Sequence, residues 1–274
     1  ASLAVLSEDA SLTGFYIAEK QEVVVYRTDA PGREVARIKT GGVNSLQFAP
    51  GSESVFTTDP SGSIHQWEIK SSRLMHTIAS ASGPIHSLLF SSAGNYFITA
   101  AENHTATLWD AATLVPLQVY EGRSIPVNDV ALPASGSSIL SLYADSTLRQ
   151  WKIASRVNLE DLIRLNADAS QLDIAPEGDR MVVSGRRQTN MLERSGKTVA
   201  HIIDSGGKLV NVVMSPDEKW VAALDATGNV YIGQAPDSSL HVEVLWVSDF
   251  PISTMLMFTP KNRLLYAGLK TISS

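Results

Sequence analysis

Three short stretches that end in tryptophan decide the fold: Ser63-Ile64-His65-Gln66-Trp67, Thr105-Ala106-Thr107-Leu108-Trp109 and Thr147-Leu148-Arg149-Gln150-Trp151. The three tryptophans lie 42 residues apart. A second marker, an apolar residue followed by a turn, recurs along the whole chain at Leu6, Phe48, Phe90, Leu132, Ile174, Met214 and Phe258. The intervals between these markers are 42, 42, 42, 42, 40 and 44 residues. A regular period of this length indicates a repeat architecture, and seven markers predict seven copies.

Each copy is predicted to contain about four short strands. In the third copy these are residues 85–90, 96–100, 105–109 and 115–120, which are rich in β-branched and aromatic residues and bounded by Gly, Asn, Asp and Ser. Four strands in about 42 residues is the spacing of a propeller blade. Because one such sheet cannot bury both of its faces, we expect the copies to pack radially against their neighbours.

The motifs resemble those of the WD40-like repeat β-propellers. In that family an Asp, a Thr and a Trp follow one another at fixed offsets, and Asp145, Thr147 and Trp151 match them. In the third copy Asn103 takes the Asp position, and in the second copy Ser61 and Ser63 take the Asp and Thr positions. The resemblance implies an all-β, seven-bladed WD40-like propeller. It also implies that the tryptophans pack between blades, and we expect each indole N–H to reach a neighbouring turn.

The family also has a histidine before the first strand, which completes a network with the Asp, Thr and Trp, and no histidine occupies that place here. We therefore expect a partial network. Propellers with the docking repeat of quinoprotein relatives are the alternative family, but their Trp lies elsewhere in the repeat.

The chain is predicted to be a single propeller domain, 1–274, with blades starting near residues 2, 44, 86, 128, 170, 210 and 252. The last copy is short. We expect it to have two or three strands, or to be completed by residues beyond Ser274 if the chain is an excised domain. One segment, 158–164 (NLEDLIR), is compatible with a helical turn or with an irregular outer strand.

Composition excludes several classes of protein. Hydrophobic residues make up 44% and charged residues 18%, which is incompatible with global disorder. A formal net charge of −6 disfavours nucleic acid as a partner. The chain has no cysteine, which excludes disulfides and thiolate metal sites. No apolar run approaches the ~18 residues of a membrane span, so we expect no direct membrane insertion within this chain.

No motif predicts catalysis. The Gly196-Lys197-Thr198 triplet imitates a phosphate-binding loop, but Met191 stands where the motif needs a glycine and a strand, not a helix, is expected to follow. We interpret residues 193–197 as a hairpin turn. The six histidines form no H-x-H or H-x-x-x-H pair. We therefore expect no catalytic residue, no metal and no cofactor.

The best candidate site is a set of polar residues near the start of each first strand. The resemblance implies that this position faces the top surface of the propeller, where partners dock. The predicted partner-binding residues are Asn44, His86, Asn128, Ser170, Asn211 and Thr254. Asn211 is included because its neighbour Val210 occupies the repeat position in the sixth copy.

Three functions remain open from the sequence. The first is a non-enzymatic binding or scaffold module that docks a protein or peptide partner. The second is an extracytoplasmic domain of a bacterial membrane protein, such as an ABC transporter permease subunit, which would place the chain in the bacterial periplasm and not the cytoplasm. The third is a propeller enzyme, such as a lactonase or quinoprotein dehydrogenase, with a metal or cofactor in the channel.

Overall fold

A computed structural model describes most of the chain, and every regular element in the described part is a β-strand. The described residues are 3–30, 33–79, 83–91, 93–121, 125–133, 138–153, 159–165, 169–176, 178–186, 188–193, 197–205, 207–235, 243–246, 254–258, 261–262 and 264–268. Their contacts group into two compact units, 1–127 and 128–274. The single domain expected from the sequence stays a prediction.

The first unit contains three four-stranded antiparallel sheets, and in each the strands are hydrogen-bonded in chain order. Sheet 1 is β1 (Leu3–Leu6), β2 (Leu12–Ile17), β3 (Glu22–Arg27) and β4 (Glu34–Lys39). Sheet 2 is β5 (Ser45–Phe48), β6 (Ser54–Thr58), β7 (Ser63–Glu68) and β8 (Arg73–Ala79). Sheet 3 is β9 (Ile85–Phe90), β10 (Tyr96–Ala101), β11 (Thr105–Asp110) and β12 (Pro116–Glu121).

The second unit contains the remaining sheets, three of four strands and one of two. Sheet 4 is β13 (Val127–Ala131), β14 (Ser138–Tyr143), β15 (Thr147–Lys152) and β16 (Leu159–Arg164), and sheet 5 is β17 (Gln171–Ile174), β18 (Arg180–Ser184), β19 (Gln188–Glu193) and β20 (Thr198–Asp204). Sheet 6 is β21 (Leu209–Met214), β22 (Trp220–Asp225), β23 (Val230–Gln234) and β24 (Glu243–Trp246), and sheet 7 is β25 (Thr254–Phe258) and β26 (Leu264–Gly268).

The core lies between consecutive sheets, and alternate residues of one strand enter different layers. On β6, Val55 packs with sheet 1 residues such as Val23, whereas Phe56 packs with sheet 3 residues such as Phe97. Since successive side chains of a strand point to opposite faces, a sheet between two others buries both faces. All five residues of β6 are accordingly buried. This explains why the inner strands show weak apolar–polar alternation.

The same arrangement holds inside the second unit. Leu172 and Met181 of sheet 5 pack against sheet 4, and Val182 of the same sheet packs against sheet 6. Leu256 of sheet 7 closes the next layer against Ala222 of sheet 6. The fold is thus all-β, built from antiparallel sheets of the propeller type, as predicted.

The local sequence predictions can be compared with the strands. The four strands expected in the third copy are those of sheet 3. Residues 159–164 of the segment 158–164 form the irregular outer strand β16, with a register shift opposite Leu148 and Arg149, and residue 158 lies outside the described part. Strand β20 follows the Gly-Lys-Thr triplet, and the amide of Glu193 donates to the carbonyl of Lys197 across the turn at 2.9 Å. Turn residues 194–196 lie outside the described part. The described portion of the last copy has two strands.

Candidate functional site

The six predicted site residues lie at the start of first strands. Asn44 and Ser170 immediately precede β5 and β17, His86 and Asn128 are the second residues of β9 and β13, Asn211 is the third residue of β21, and Thr254 begins β25. The side chain of Thr254 lies outside the described part of the structure. Asn44 and His86 belong to the first unit and the other four to the second.

His86 uses one ring nitrogen to bind the backbone of Val127, which is the last residue of the first unit and also the first residue of β13. Its Nε2 lies 2.7 Å from the carbonyl oxygen of Val127. Since a carbonyl can only accept, Nε2 carries the hydrogen and Nδ1 is left with a lone pair. Burial lowers the pKa of His86, although the Val127 carbonyl and the charge of Glu102 act in the opposite direction. The ring is therefore neutral at pH 7, and its Nδ1 is a hydrogen-bond acceptor.

Asn128 makes the equivalent link in the second unit. Its Nδ2 donates to the carbonyl oxygen of Ala169 at 3.1 Å, which leaves Oδ1 as an acceptor. In the first unit Thr58 Oγ1 donates to the carbonyl oxygen of Ile85, also at 3.1 Å. The three accepting carbonyls belong to Val127, Ala169 and Ile85. These residues directly precede the predicted site residues Asn128, Ser170 and His86. Part of the polarity at these positions is thus explained by links between sheets, and Thr58 is a member that sequence reasoning missed.

Asn44 and Ser170 take part only through their backbones in the described hydrogen bonds. The amide of Asn44 donates to the carbonyl of Thr58 at 2.8 Å, and the amide of Ser170 donates to that of Ser184 at 2.9 Å. These two bonds extend the pairing of first and second strands by one residue. The Asn44 side chain is partly exposed and makes no hydrogen bond with the described residues.

Asn211 owes its place to a bulge in β21. Leu209 pairs with Asp225 and Asn211 with Leu224, so Val210 is skipped in the ladder and is 40% exposed. The bulge turns Asn211 inward, and its Oδ1 is buried without a partner among the described residues. In β9 the same bulge skips His86, so Val210 is the apolar counterpart of His86 in the sixth copy.

The tryptophans are packing residues, but their N–H groups do not go to turns as expected. Each indole Nε1 donates to a hydroxyl on the second strand of the same sheet: Trp67 to Thr57 at 2.9 Å, Trp109 to Thr99 at 2.9 Å and Trp151 to Ser141 at 2.7 Å. The hydroxyl always precedes the tryptophan by ten residues. That fixed offset is the signal that could have found these pairs in the sequence.

The turns between second and third strands are organised by an acidic or amide side chain. Asn103 Oδ1 and Asp145 Oδ1 each accept from the amide and hydroxyl of the threonine two residues later. In sheet 2 the acceptor is Asp59, which binds the amides of Ser61 and Ser63 at 2.9 Å. Ser61 occupies the Asp position by its spacing from Trp67, but it donates to Asp59, which takes over the acceptor role two residues earlier in the turn.

Asp225 repeats the Asp59 turn in sheet 6. It accepts from Thr227 and Asn229, and its Oδ2 also accepts from the Tyr231 hydroxyl at 2.9 Å. Burial alone would raise the pKa of Asp225, but these hydrogen bonds outweigh it and lower the pKa overall. In sheet 2 the corresponding extra partner is His65, whose Nε2 lies 3.1 Å from Asp59 Oδ2. The turn carboxylates of sheets 2 and 6 thus receive their additional hydrogen bond from different residues, His65 and Tyr231.

Neither a metal cluster nor a membrane-spanning helix is found among the described residues. Within the described residues no three His, Asp or Glu side chains are grouped as a metal would require. That part of the chain also has no helix with the length and apolar character of a membrane span.

Comparison with known proteins identifies the repeat. Residues 72–110, from β8 to the end of β11, match the family model described as WD domain, G-beta repeat. Autophagy-related protein 16 of Arabidopsis thaliana is 24% identical over 203 residues, which cover 70% of this chain and 39% of the relative. Eukaryotic translation initiation factor 3 subunit I of Bombyx mori is 30% identical over 122 residues, covering 42% of this chain and 36% of the relative.

A third relative is covered more fully. Target of rapamycin complex subunit wat1 of Schizosaccharomyces pombe is 22% identical over 212 residues, which cover 73% of this chain and 67% of the relative. The match spans well under half the length of the first two relatives. All three come from eukaryotes and give no support to a bacterial source. Together with the 42-residue repeat and its four-stranded sheets, these matches support a WD40-like repeat family for the chain.

Proposed function

We propose that the chain is a non-enzymatic binding or scaffold module, and that a protein or peptide partner docks on the residues at the start of its first strands. The names of two relatives support the general role, because a subunit of a target of rapamycin complex and a subunit of an initiation factor are components of larger assemblies. The proposed docking residues are Asn44 and His86 in the first unit, and Asn128, Ser170, Asn211 and Thr254 in the second.

The observation that carries the proposal is the orientation of His86 and Asn128. Each commits its donor to a backbone carbonyl, by Nε2 and Nδ2, and retains an acceptor, Nδ1 or Oδ1. A fixed acceptor of this kind suits a ligand that presents donors, such as main-chain N–H groups or Lys and Arg side chains. The formal net charge of −6 favours the same kind of partner.

The test uses random peptides displayed on phage and selected against the immobilised chain. Peptides that bind are then titrated against the wild type, Asn44→Ala and His86→Ala. Asn44→Ala is the cleaner variant, because only its backbone takes part in the described hydrogen bonds. We expect the dissociation constant to rise about tenfold for each variant, since one good hydrogen bond to a ligand is worth roughly 1–1.5 kcal/mol.

His76→Ala is the matched control. His76 is exposed on the outer strand β8, in the same unit as Asn44 and His86. The proposal predicts unchanged affinity for this variant and selected peptides enriched in Lys and Arg. Peptides that bind wild type and Asn44→Ala equally well, but lose affinity for His76→Ala, would place docking on the outer strands instead.

A further inference from the structure

A carboxylate, an imidazole and a hydroxyl are connected in series on the outer part of sheet 2. Asp59 Oδ2 lies 3.1 Å from His65 Nε2, and His65 Nδ1 lies 3.1 Å from Thr77 Oγ1. The strand pairing fixes the second contact, because His65 of β7 lies directly opposite Thr77 of β8. Thr77 is exposed on that outer strand, so the series ends at the surface of the sheet.

The turn of sheet 2 holds Asp59 in its ionised form. The Oδ1 atom of Asp59 accepts from the amides of Ser61 and Ser63, at 2.9 Å each, and from the Ser61 hydroxyl at 2.6 Å. Burial alone would raise the pKa of Asp59, but these hydrogen bonds and the one from His65 outweigh it and lower the pKa. Because three donors occupy Oδ1, the other oxygen, Oδ2, is the one that faces the imidazole.

The direction of each hydrogen bond follows from the charge of Asp59. An ionised carboxylate can only accept, so the neutral ring of His65 carries its hydrogen on Nε2 and has a lone pair on Nδ1. The hydroxyl of Thr77 is therefore the donor to Nδ1. This is the order of groups in which a base activates a hydroxyl nucleophile while a third group orients the base.

We propose that Thr77 is a covalent acceptor site for acyl groups delivered by activated esters, with His65 as its general base and Asp59 as the residue that positions the base. In the transfer, Thr77 Oγ1 forms a bond to the acyl carbon, and its proton passes to His65 Nδ1. The bond between the acyl carbon and the leaving oxygen then breaks, and that oxygen takes the proton from Nδ1. The products are a threonine ester on the chain and a free alcohol or phenol, so the step needs no oxidant or further reactant.

The outer strand also offers an apolar contact for the acyl group. Met75 lies two residues before Thr77 and is left out of the strand ladder by the register shift in β8. Its side chain is 48% exposed, and an apolar surface of this kind favours contact with an alkyl group. The transfer modifies the chain once and requires no turnover. It therefore goes beyond the proposed binding function and does not depend on it.

The test treats the full wild-type chain with p-nitrophenyl acetate and locates the acetyl groups by peptide mass spectrometry. Thr113 is the internal control, because it is also exposed and its hydroxyl donates to a carboxylate oxygen, Asp110 Oδ1, at 2.8 Å without an imidazole among its described partners. We expect Thr77 to be acetylated about a hundredfold faster than Thr113, since a positioned general base contributes roughly 10²–10⁴ to a rate. This comparison needs no variant, and equal rates at the two threonines would overturn the proposal.

His65→Gln tests the general base. The glutamine side chain keeps polar atoms near Thr77 but has no basic nitrogen. Thr77 should then be acetylated no faster than Thr113 in the same sample. A wild-type rate at Thr77 in this variant would show that the hydroxyl reacts without the imidazole, and the proposal would be wrong.

Asp59→Asn tests the positioning residue. The side-chain oxygen of the asparagine must stay with the amides of Ser61 and Ser63, so its NH₂ group faces His65. A donor at that place moves the hydrogen of the neutral ring from Nε2 to Nδ1 and removes the lone pair that accepts the proton. Acetylation of Thr77 should fall by about tenfold or more, and the rate at the control threonine should not change. An unchanged rate at Thr77 would contradict the role of Asp59.

Discussion

Sheets 2, 3 and 4 differ from sheets 5 and 6 at one equivalent position on the third strand. In the first group a tryptophan of the third strand lies opposite Val55, Phe97 or Ile139 of the second strand. In sheets 5 and 6 the equivalent residues are Leu192, opposite Met181, and Gly233, opposite Val221.

The hydroxyl that receives the indole N–H disappears together with the tryptophan. Thr57, Thr99 and Ser141 correspond to Val183 in sheet 5 and Ala223 in sheet 6, and both of these are buried. A buried hydroxyl or indole N–H without its partner costs free energy, whereas an apolar pair of similar fit does not. The comparison teaches that the pair is kept or lost as a unit, and that the sheets require apolar layers more than they require tryptophan.

Replacing a tryptophan in the first group should give the largest effect. Trp109→Ala removes a ring that stacks on Phe97 at 5.7 Å between centroids and leaves Thr99 Oγ1 without its donor. We expect a loss of about 3–5 kcal/mol in the free energy of unfolding, measured by chemical denaturation.

Two further variants sharpen this result. Trp109→Phe keeps an aromatic ring and removes the N–H, so a loss of about 1–2 kcal/mol is expected. Leu192→Ala in sheet 5 removes a smaller buried side chain and should cost less than Trp109→Ala. If Leu192→Ala lowered the free energy of unfolding more than Trp109→Ala does, the tryptophan of sheet 3 would contribute less to stability than the leucine of sheet 5.

Sheet 6, which lacks the pair, has a buried carboxylate at the end of its second strand. Asp225 is 2% exposed and accepts from Thr227, Asn229 and Tyr231. Asp225→Ala removes the acceptor of these hydrogen bonds, and we expect a loss of about 2–3 kcal/mol in the free energy of unfolding. Asp145→Ala, in the Trp-containing sheet 4, is the control and should cost less.

The pH dependence of the Asp225 contribution has a definite sign. Hydrogen bonds lower the pKa of Asp225 below the ordinary value of 3.8 despite its burial. Its stabilisation is therefore present above pH 4 and lost as the pH falls through the lowered pKa. The difference in stability between wild type and Asp225→Ala should shrink below pH 4. A difference that grows on acidification would contradict this assignment.

Much of the fold could be predicted because packing between sheets imposes a period that the sequence must keep. The marker residues Phe48, Phe90 and Leu132 each end a first strand or follow it directly, and their spacing of 42 residues reveals the repeat without any contact information. Segment 158–164 stayed ambiguous, because its strand pairing in β16 depends on a register shift that no local pattern encodes.

The site was predicted less completely, because its hydrogen bonds connect residues of different copies. The sequence shows that His86 and Asn128 are polar, but their links to Val127 and Ala169 span 41 residues each. The bulges at His86 and Val210 likewise depend on the pairing of first and second strands, which no local pattern encodes. Partner binding by these residues stays a prediction.

The smallest expected effect has the opposite sign and concerns sheet 5. Ser184 and Thr189 lie opposite each other on β18 and β19, both are fully buried, and neither hydroxyl has a partner among the described residues. Thr189→Val keeps the shape of the side chain and removes an unsatisfied polar group, so we expect a gain of about 1 kcal/mol in the free energy of unfolding. Thr99→Val in sheet 3 is the control. It should destabilise the chain, because Thr99 Oγ1 accepts from Trp109. A loss in both variants would mean that the Thr189 hydroxyl is satisfied in solution, and sheet 5 would then follow the same rule as sheets 2 to 4.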